Sequence, residues 1–370
     1  MLRPDLPHQH RRRDAGANAH VRRDRPLKLE FHLGYSSRAV KDYSLERRQG
    51  LVRLAEELGF DGLWHSGERF YRDQWVNLTM SAMLTNRIKL GTAIADPYSI
   101  HPALTAMSLA TADEVSGGRA ILGIGAGGSG FPPLGIERRK PARAIREAIE
   151  VMRQFLSGER VDYAGEIVQL RGAELHIHAR PDIPMWVATR GDAVLRMAGE
   201  VADGVIVATY ATPRGVSHAL SQIEAGARKS GRKLENLAVM SRVDTCVLPD
   251  GPQAREGIKQ MIAFLLWSSY PDKGFVEQSG LTIPTELEAL LAKREYDLMH
   301  GAGHLVPDEF VDAFAWAGTV EEVAQRVAAI ARLGISRFGF WLQVPPGGDM
   351  EAMTRTVAID VQKRAEELIS

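Results

Sequence analysis

Short, continuously apolar segments alternate with longer segments of helical spacing from residue 29 to the C-terminus, and this order constrains the fold more than any other feature. Segments 29–35, 60–64, 88–95, 120–124, 184–188, 204–208, 237–247 and 337–344 read as strands. Between and after them, 45–58, 75–84, 101–115, 141–156, 192–201, 213–230, 254–267, 319–333 and 350–368 carry apolar residues at helical spacing. Strands that are apolar throughout, rather than on alternate positions, belong to a parallel sheet covered on both faces. Eight such βα units predict a closed α/β (β/α)8 barrel, a TIM barrel.

Two segments depart from the repeat. Residues 161–175 alternate around Gly165 and Gly172 and predict a hairpin inserted before the fifth strand. Residues 269–318 hold Pro271, Pro284 and Pro307 and one helical patch, so they predict a long irregular insertion over the active face. Residues 1–26 are rich in Arg, Asp, His and Pro and lack the apolar stretch of a secretory leader, so we expect a disordered tail followed by one barrel domain over 27–370.

The composition excludes several functional classes. Lys+Arg and Asp+Glu are both 46, so no bulk charge grips nucleic acid or an anionic membrane. No apolar run reaches the roughly 18 residues of a spanning helix. Cys246 is the only cysteine, which leaves no disulfide and no thiolate metal site. His176 and His178 lack a third ligand at a suitable spacing, so no metal is expected. A cytoplasmic protein acting on a small molecule is the default expectation.

In such a barrel the chemistry sits just beyond the carboxyl ends of the strands. Three of these segments stand out. Gly123, Gly125 and Gly128 fit G-x-G-x-x-G, but Pro132 and Pro133 forbid the helix that a dinucleotide site needs there. The missing side chains, at Gly125 and Gly127 above all, instead let a flat ring approach the backbone closely. Arg190 and Gly191 precede a helix start, a combination suited to a phosphate. After the second strand, His65, Ser66 and Glu68 bring a base, a hydroxyl and an acid to the barrel mouth, with Tyr35 and Asp96 beside them.

Several segments together resemble the bacterial luciferase-like family of flavin- and deazaflavin-dependent oxidoreductases. They are residues 54–61 (LAEELGFD), 85–91 (TNRIKLG), Asp96-Pro97, His101-Pro102, 116–125 (SGGRAILGIG) and 198–204 (AGEVADG). The resemblance is greatest to the branch that uses the deazaflavin coenzyme F420 and includes methylenetetrahydromethanopterin reductase. It implies a cis peptide at Ala93-Ile94 behind the cofactor ring, and a phosphate turn at Arg190, Gly191, Ala193 and Val194. Ser66, Asp96, Gly125 and Gly127 complete the implied cofactor site.

Deazaflavin enzymes of the family often carry Asp-His after the second strand. This chain has Gly67-Glu68, which leaves Glu68 and His65 as the catalytic candidates. The resemblance implies hydride transfer with F420. FMN is the alternative cofactor, used with oxygen in a monooxygenase, and a non-catalytic flavin-binding barrel is a third reading. Family members often pair through the second and third βα units, so a homodimer is expected.

Overall fold

The computed structural model describes residues 28–68, 70–128 and 130–370, so the tail expected over 1–26 lies outside it. Its strands are β1 (Glu30–Tyr35), β2 (Gly62–His65), β3 (Lys89–Thr92), β4 (Ala120–Ile124), β5 (Val161–Ala164), β6 (Gln169–Ala173), β7 (Met185–Thr189), β8 (Gly204–Ala208), β9 (Ala238–Val247), β10 (Ala315–Gly318) and β11 (Arg337–Leu342). Each of β1, β2, β3, β4, β7, β8, β9 and β11 pairs in parallel with the next, and β11 returns to β1. The eight expected strands therefore close into a TIM barrel.

Two apolar layers hold the barrel. Outside it, helices bury their inner faces on the strands; Leu51, Val52, Leu54 and Ala55 do so on the first helix (Leu45–Glu57). Inside, Trp64, Ile121, Trp186, Ile206, Met240 and Trp341 form a separate cluster. Rings of this size fit because neighbouring strands are bare. A Cβ at Gly91 would stand 2.2 Å from the Trp64 ring. The Trp64 indole N–H donates to Nδ1 of the buried His32 at 3.2 Å, which satisfies a polar group that burial would otherwise penalise.

β5 and β6 form the expected antiparallel hairpin. Glu147, on the helix Pro141–Leu156, anchors the turn by accepting backbone N–H bonds from Glu166, Ile167 and Val168 at 2.8–3.0 Å.

The insertion differs from the irregular loop expected over 269–318. It folds into the helices Gly274–Gln278, Thr285–Ala292 and Asp308–Phe314, then β10, which pairs in parallel with Asp244–Val247 of β9. Phe275, Leu287, Leu291, Phe310 and Phe314 are buried and join the apolar core shared with the barrel and its helices. The helix Gln74–Leu84 packs one face on the barrel. It buries Leu78, Ser81 and Ala82, while Met83 is 77% exposed. Among the described residues no helix is long and apolar enough to cross a membrane.

Candidate active site

The carboxyl ends of the strands open onto two joined cavities of ≈ 280 and ≈ 300 Å³. Ala93, Ile94, Gly127, Arg190, Arg242 and Trp341 line both, so they form one cleft across the barrel. Its back wall is the segment after β3, where the Ala93–Ile94 peptide is cis. Beside it runs the glycine segment after β4. A Cβ at Gly125 would lie 2.4 Å from Ile94 Cδ1 and 2.9 Å from the Ala188 carbonyl oxygen. At Gly127, where φ is +62°, a Cβ would meet the Phe131 ring at 2.5 Å. With no Cβ at these positions, Ile94, the Ala188 carbonyl and the Phe131 ring pack directly against the glycine backbone, which forms a close-packed wall of the cleft.

One end of the slot suits an anion. Gly191 begins the helix Asp192–Val201, and no side chain caps that start. Gly191 and Val194 line the cavity there. The Arg190 guanidinium rests on the Phe275 ring at 4.9 Å and donates to the hydroxyls of Ser268 and Ser269. It has no carboxylate partner among the described residues. Burial, and Arg242 nearby, pull its pKa down to about 10, so it stays cationic at neutral pH. A half-buried guanidinium beside a helix start without a side-chain cap is complementary to a phosphate, although Asp272, on the same cavity, offsets part of its charge.

The other end carries the titratable groups. Glu68 is 14% exposed and ion-paired with Arg38. Burial raises the Glu68 carboxyl above the ordinary carboxylate range; Arg38 opposes that rise and Asp244 adds to it. Asp244 accepts from Arg242 at 2.8 Å and from the Gln343 amide at 3.0 Å. The Arg242 guanidinium stacks on Trp341, 4.5 Å from the ring centre. A carboxyl held above its ordinary value at the edge of the slot is suited to take up and give back a proton.

Most of the candidate residues gather here. Ser66, Glu68, Ala93, Ile94, Asp96, Gly127, Arg190, Gly191 and Val194 line the cleft, and Gly125 supports its wall. Asp96 also caps its own turn, accepting from the backbone of Tyr98 and Ser99. Ala193 is exposed and lines neither cavity.

His65 is placed elsewhere. It lines a separate cavity of ≈ 60 Å³ with Tyr35, Arg48 and Leu51, behind the barrel wall. Burial, with Arg48 nearby, pushes its pKa down to about 3, so its imidazole is neutral at physiological pH. Tyr35 points the same way, towards the Leu51 carbonyl and Thr354, and not to the mouth. Cys246 is buried, and burial pushes its thiol up to about 12. His176 and His178 are exposed.

Reading the sequence missed Arg38, Arg242, Asp244, Trp341 and Gln343. A signal was present: Arg242 and Asp244 are the only charged residues of β9 and stand two apart, which puts both on one face of the strand.

The fold and cleft define a ring-binding barrel. The family profile described as luciferase-like monooxygenase matches residues 30–337. The 5,10-methylenetetrahydromethanopterin reductase of Methanolobus tindarius is 33% identical over 289 residues, 77% of this chain and 87% of the relative. The F420-dependent glucose-6-phosphate dehydrogenase of Beutenbergia cavernae is 30% identical over 279 residues, 70% of this chain and 79% of the relative. Among solved structures, the coenzyme F420-dependent tetrahydromethanopterin reductase of Methanopyrus kandleri superposes with a TM-score of 0.79 at 28% identity, covering 91% of this chain and 99% of that one. The chain belongs to the luciferase-like family of oxidoreductases.

Proposed function

We propose that the protein is an F420-dependent oxidoreductase that moves hydride to or from a small organic substrate, and that one barrel domain over residues 27–370 does so in the cytoplasm. The observation that carries this reading is the slot itself: a wall at Ala93, Ile94, Gly125 and Gly127, a half-buried arginine at one end and the largely buried Glu68 carboxyl at the other. The names of the curated relatives support the choice of F420.

When bound, the coenzyme would supply a ring carbon that accepts or donates hydride. The chain's own residues do the rest. Arg190, Gly191 and Val194 would hold the phosphate-bearing side chain, and Ala93, Ile94 and Gly127 would fix the ring plane. Trp341 and Met261 help to exclude water from the slot. As a substrate carbon loses hydride, Glu68 would take the proton from the adjoining oxygen or nitrogen; in reduction it returns that proton. Holding the two reactants face to face supplies much of the barrier reduction.

We also read the protein as a homodimer. Val76, Met83, Leu104 and Met107 are 69%, 77%, 52% and 45% exposed on two adjacent helices, a cluster suited to a second copy.

The deciding experiment titrates the purified protein with F420 and with FMN and follows fluorescence. Saturable binding of F420 in preference to FMN is expected. Tight FMN binding with none of F420 overturns the reading.

A further inference from the structure

A third cavity of ≈ 540 Å³ adjoins the slot, and Arg38 and Glu68 line both. Its other walls include Tyr71, Trp267, Tyr296, Pro132, Pro133 and Arg294. The rings are mutually braced: Trp267 and Tyr296 meet edge to face at 5.5 Å, and Arg38 donates to the Tyr296 hydroxyl at 3.2 Å. Ring and proline faces are rigid and flat, so they favour a flat conjugated guest over a flexible chain.

The charge here is unbalanced. Glu68 is matched by Arg38. Arg294, exposed at the rim of this cavity, lies over the Trp267 ring at 4.8 Å, donates to the Trp267 carbonyl and has no carboxylate partner among the described residues. Partial burial lowers its pKa, and the positive charge of Arg138 lowers it further. Arg294 and Phe70, both at this cavity, have φ of +56° and +65°, a region that non-glycine residues seldom adopt. Such backbone is often retained where it aims a side chain into a site. Arg294 lines this cavity and not the slot, so its partner would sit on the part of the guest away from the reacting end.

We infer that this cavity is the substrate subsite and that it takes a planar aromatic or heteroaromatic compound bearing an acidic group. The reacting carbon lies at Glu68, the ring system lies among Tyr71, Trp267 and Tyr296, and the carboxylate or phosphate is held by Arg294. This rests on the oxidoreductase reading for the identity of the neighbouring slot. Small aliphatic alcohols and free sugars leave the aromatic walls and Arg294 unused.

The test is calorimetric titration of the full chain with 2-naphthoate, 2-naphthamide and octanoate, with and without F420. 2-Naphthoate is expected to bind about 10-fold more tightly than either control, and R294M is expected to remove its advantage over the amide without changing affinity for the amide. R294K, which keeps the charge, should restore part of it. Equal affinities for all three probes, or an advantage that survives R294M in a protein of unchanged melting temperature, overturn the proposal. The titrations without F420 decide it separately, because failure to bind F420 counts against the proposed function and leaves the naphthoate ratio readable.

Discussion

Arg38 and Glu68 form an ion pair at the seam between the cofactor slot and the aromatic cavity. Each charge sets the other's state. Burial raises the Glu68 carboxyl, Arg38 pulls it back and Asp244 raises it again. R38M removes the lowering influence, so the Glu68 pKa should rise further; D244N removes a raising one, so it should fall. Titration of the Glu68 carboxyl carbon by NMR in the two variants reads both shifts, and movement in the same direction would contradict this arrangement. E68Q should lower turnover about 100-fold while leaving F420 affinity unchanged, because a general acid–base group contributes on this scale.

Arg190 provides a test of the phosphate end. R190M keeps the bulk of the side chain but deletes the charge next to the Asp192–Val201 helix start. Affinity for F420 should fall about 10- to 100-fold, the range for losing a charged hydrogen bond. Affinity for the same deazaflavin without its phosphate should stay the same. Comparable losses for both ligands would place the phosphate elsewhere.

Gly125 tests the wall. An added methyl would press on Ile94 Cδ1 at 2.4 Å and on the Ala188 carbonyl oxygen at 2.9 Å, and the second of these is backbone with little room to yield. G125A should therefore displace the Ala93–Ile94 wall. Overpacking of this kind costs about 1–3 kcal/mol, so a lower melting temperature should accompany weaker F420 binding. Unchanged F420 affinity would show that the ring does not lie on this wall.

The barrel was legible in the sequence because its strands are apolar throughout and its helices are not, and a parallel sheet imposes that difference on any chain that adopts it. The slot was half legible. Gly125, Gly127 and Arg190 sit at strand ends, where backbone exposure and helix starts give them a local reason to be there. His65 misled because one residue decides which face of a strand's end a side chain takes; Ser66 reaches both the cleft and the cavity behind it, while His65 lines only the latter. Arg294 and Tyr296 were illegible because the insertion brings them back over the barrel from more than 200 residues beyond Glu68. Its helices are short, and proline interruptions hid their periodicity.

The expected dimer has a direct test. If Val76 and Met83 are covered by a second copy, M83E should place an unpaired charge in that interface and shift the protein towards monomer in light scattering after size exclusion, with circular dichroism unchanged. A wild-type protein that is monomeric at all concentrations would leave this exposed face without the proposed role.

Glu147 ties pH to the stability of the hairpin. Its side chain is 4% exposed, and burial alone would raise its carboxyl. Backbone N–H groups of Val168, Ile167 and Glu166 outweigh that and hold it below the ordinary carboxylate value. A carboxyl lowered on folding contributes stability above its unfolded pKa and loses that contribution as pH falls through its folded pKa. Wild type should therefore lose stability between about pH 5 and the folded pKa. E147Q keeps the side-chain shape but replaces one of the two accepting oxygens with an NH2 that cannot accept, so at least one of these N–H groups loses its acceptor. It should be destabilised by about 1–3 kcal/mol at pH 7, and the gap to wild type should narrow as pH falls. Urea unfolding of both proteins at pH 7 and pH 4 measures this, and a gap that widens with acid would show that Glu147 does not act as a charged acceptor.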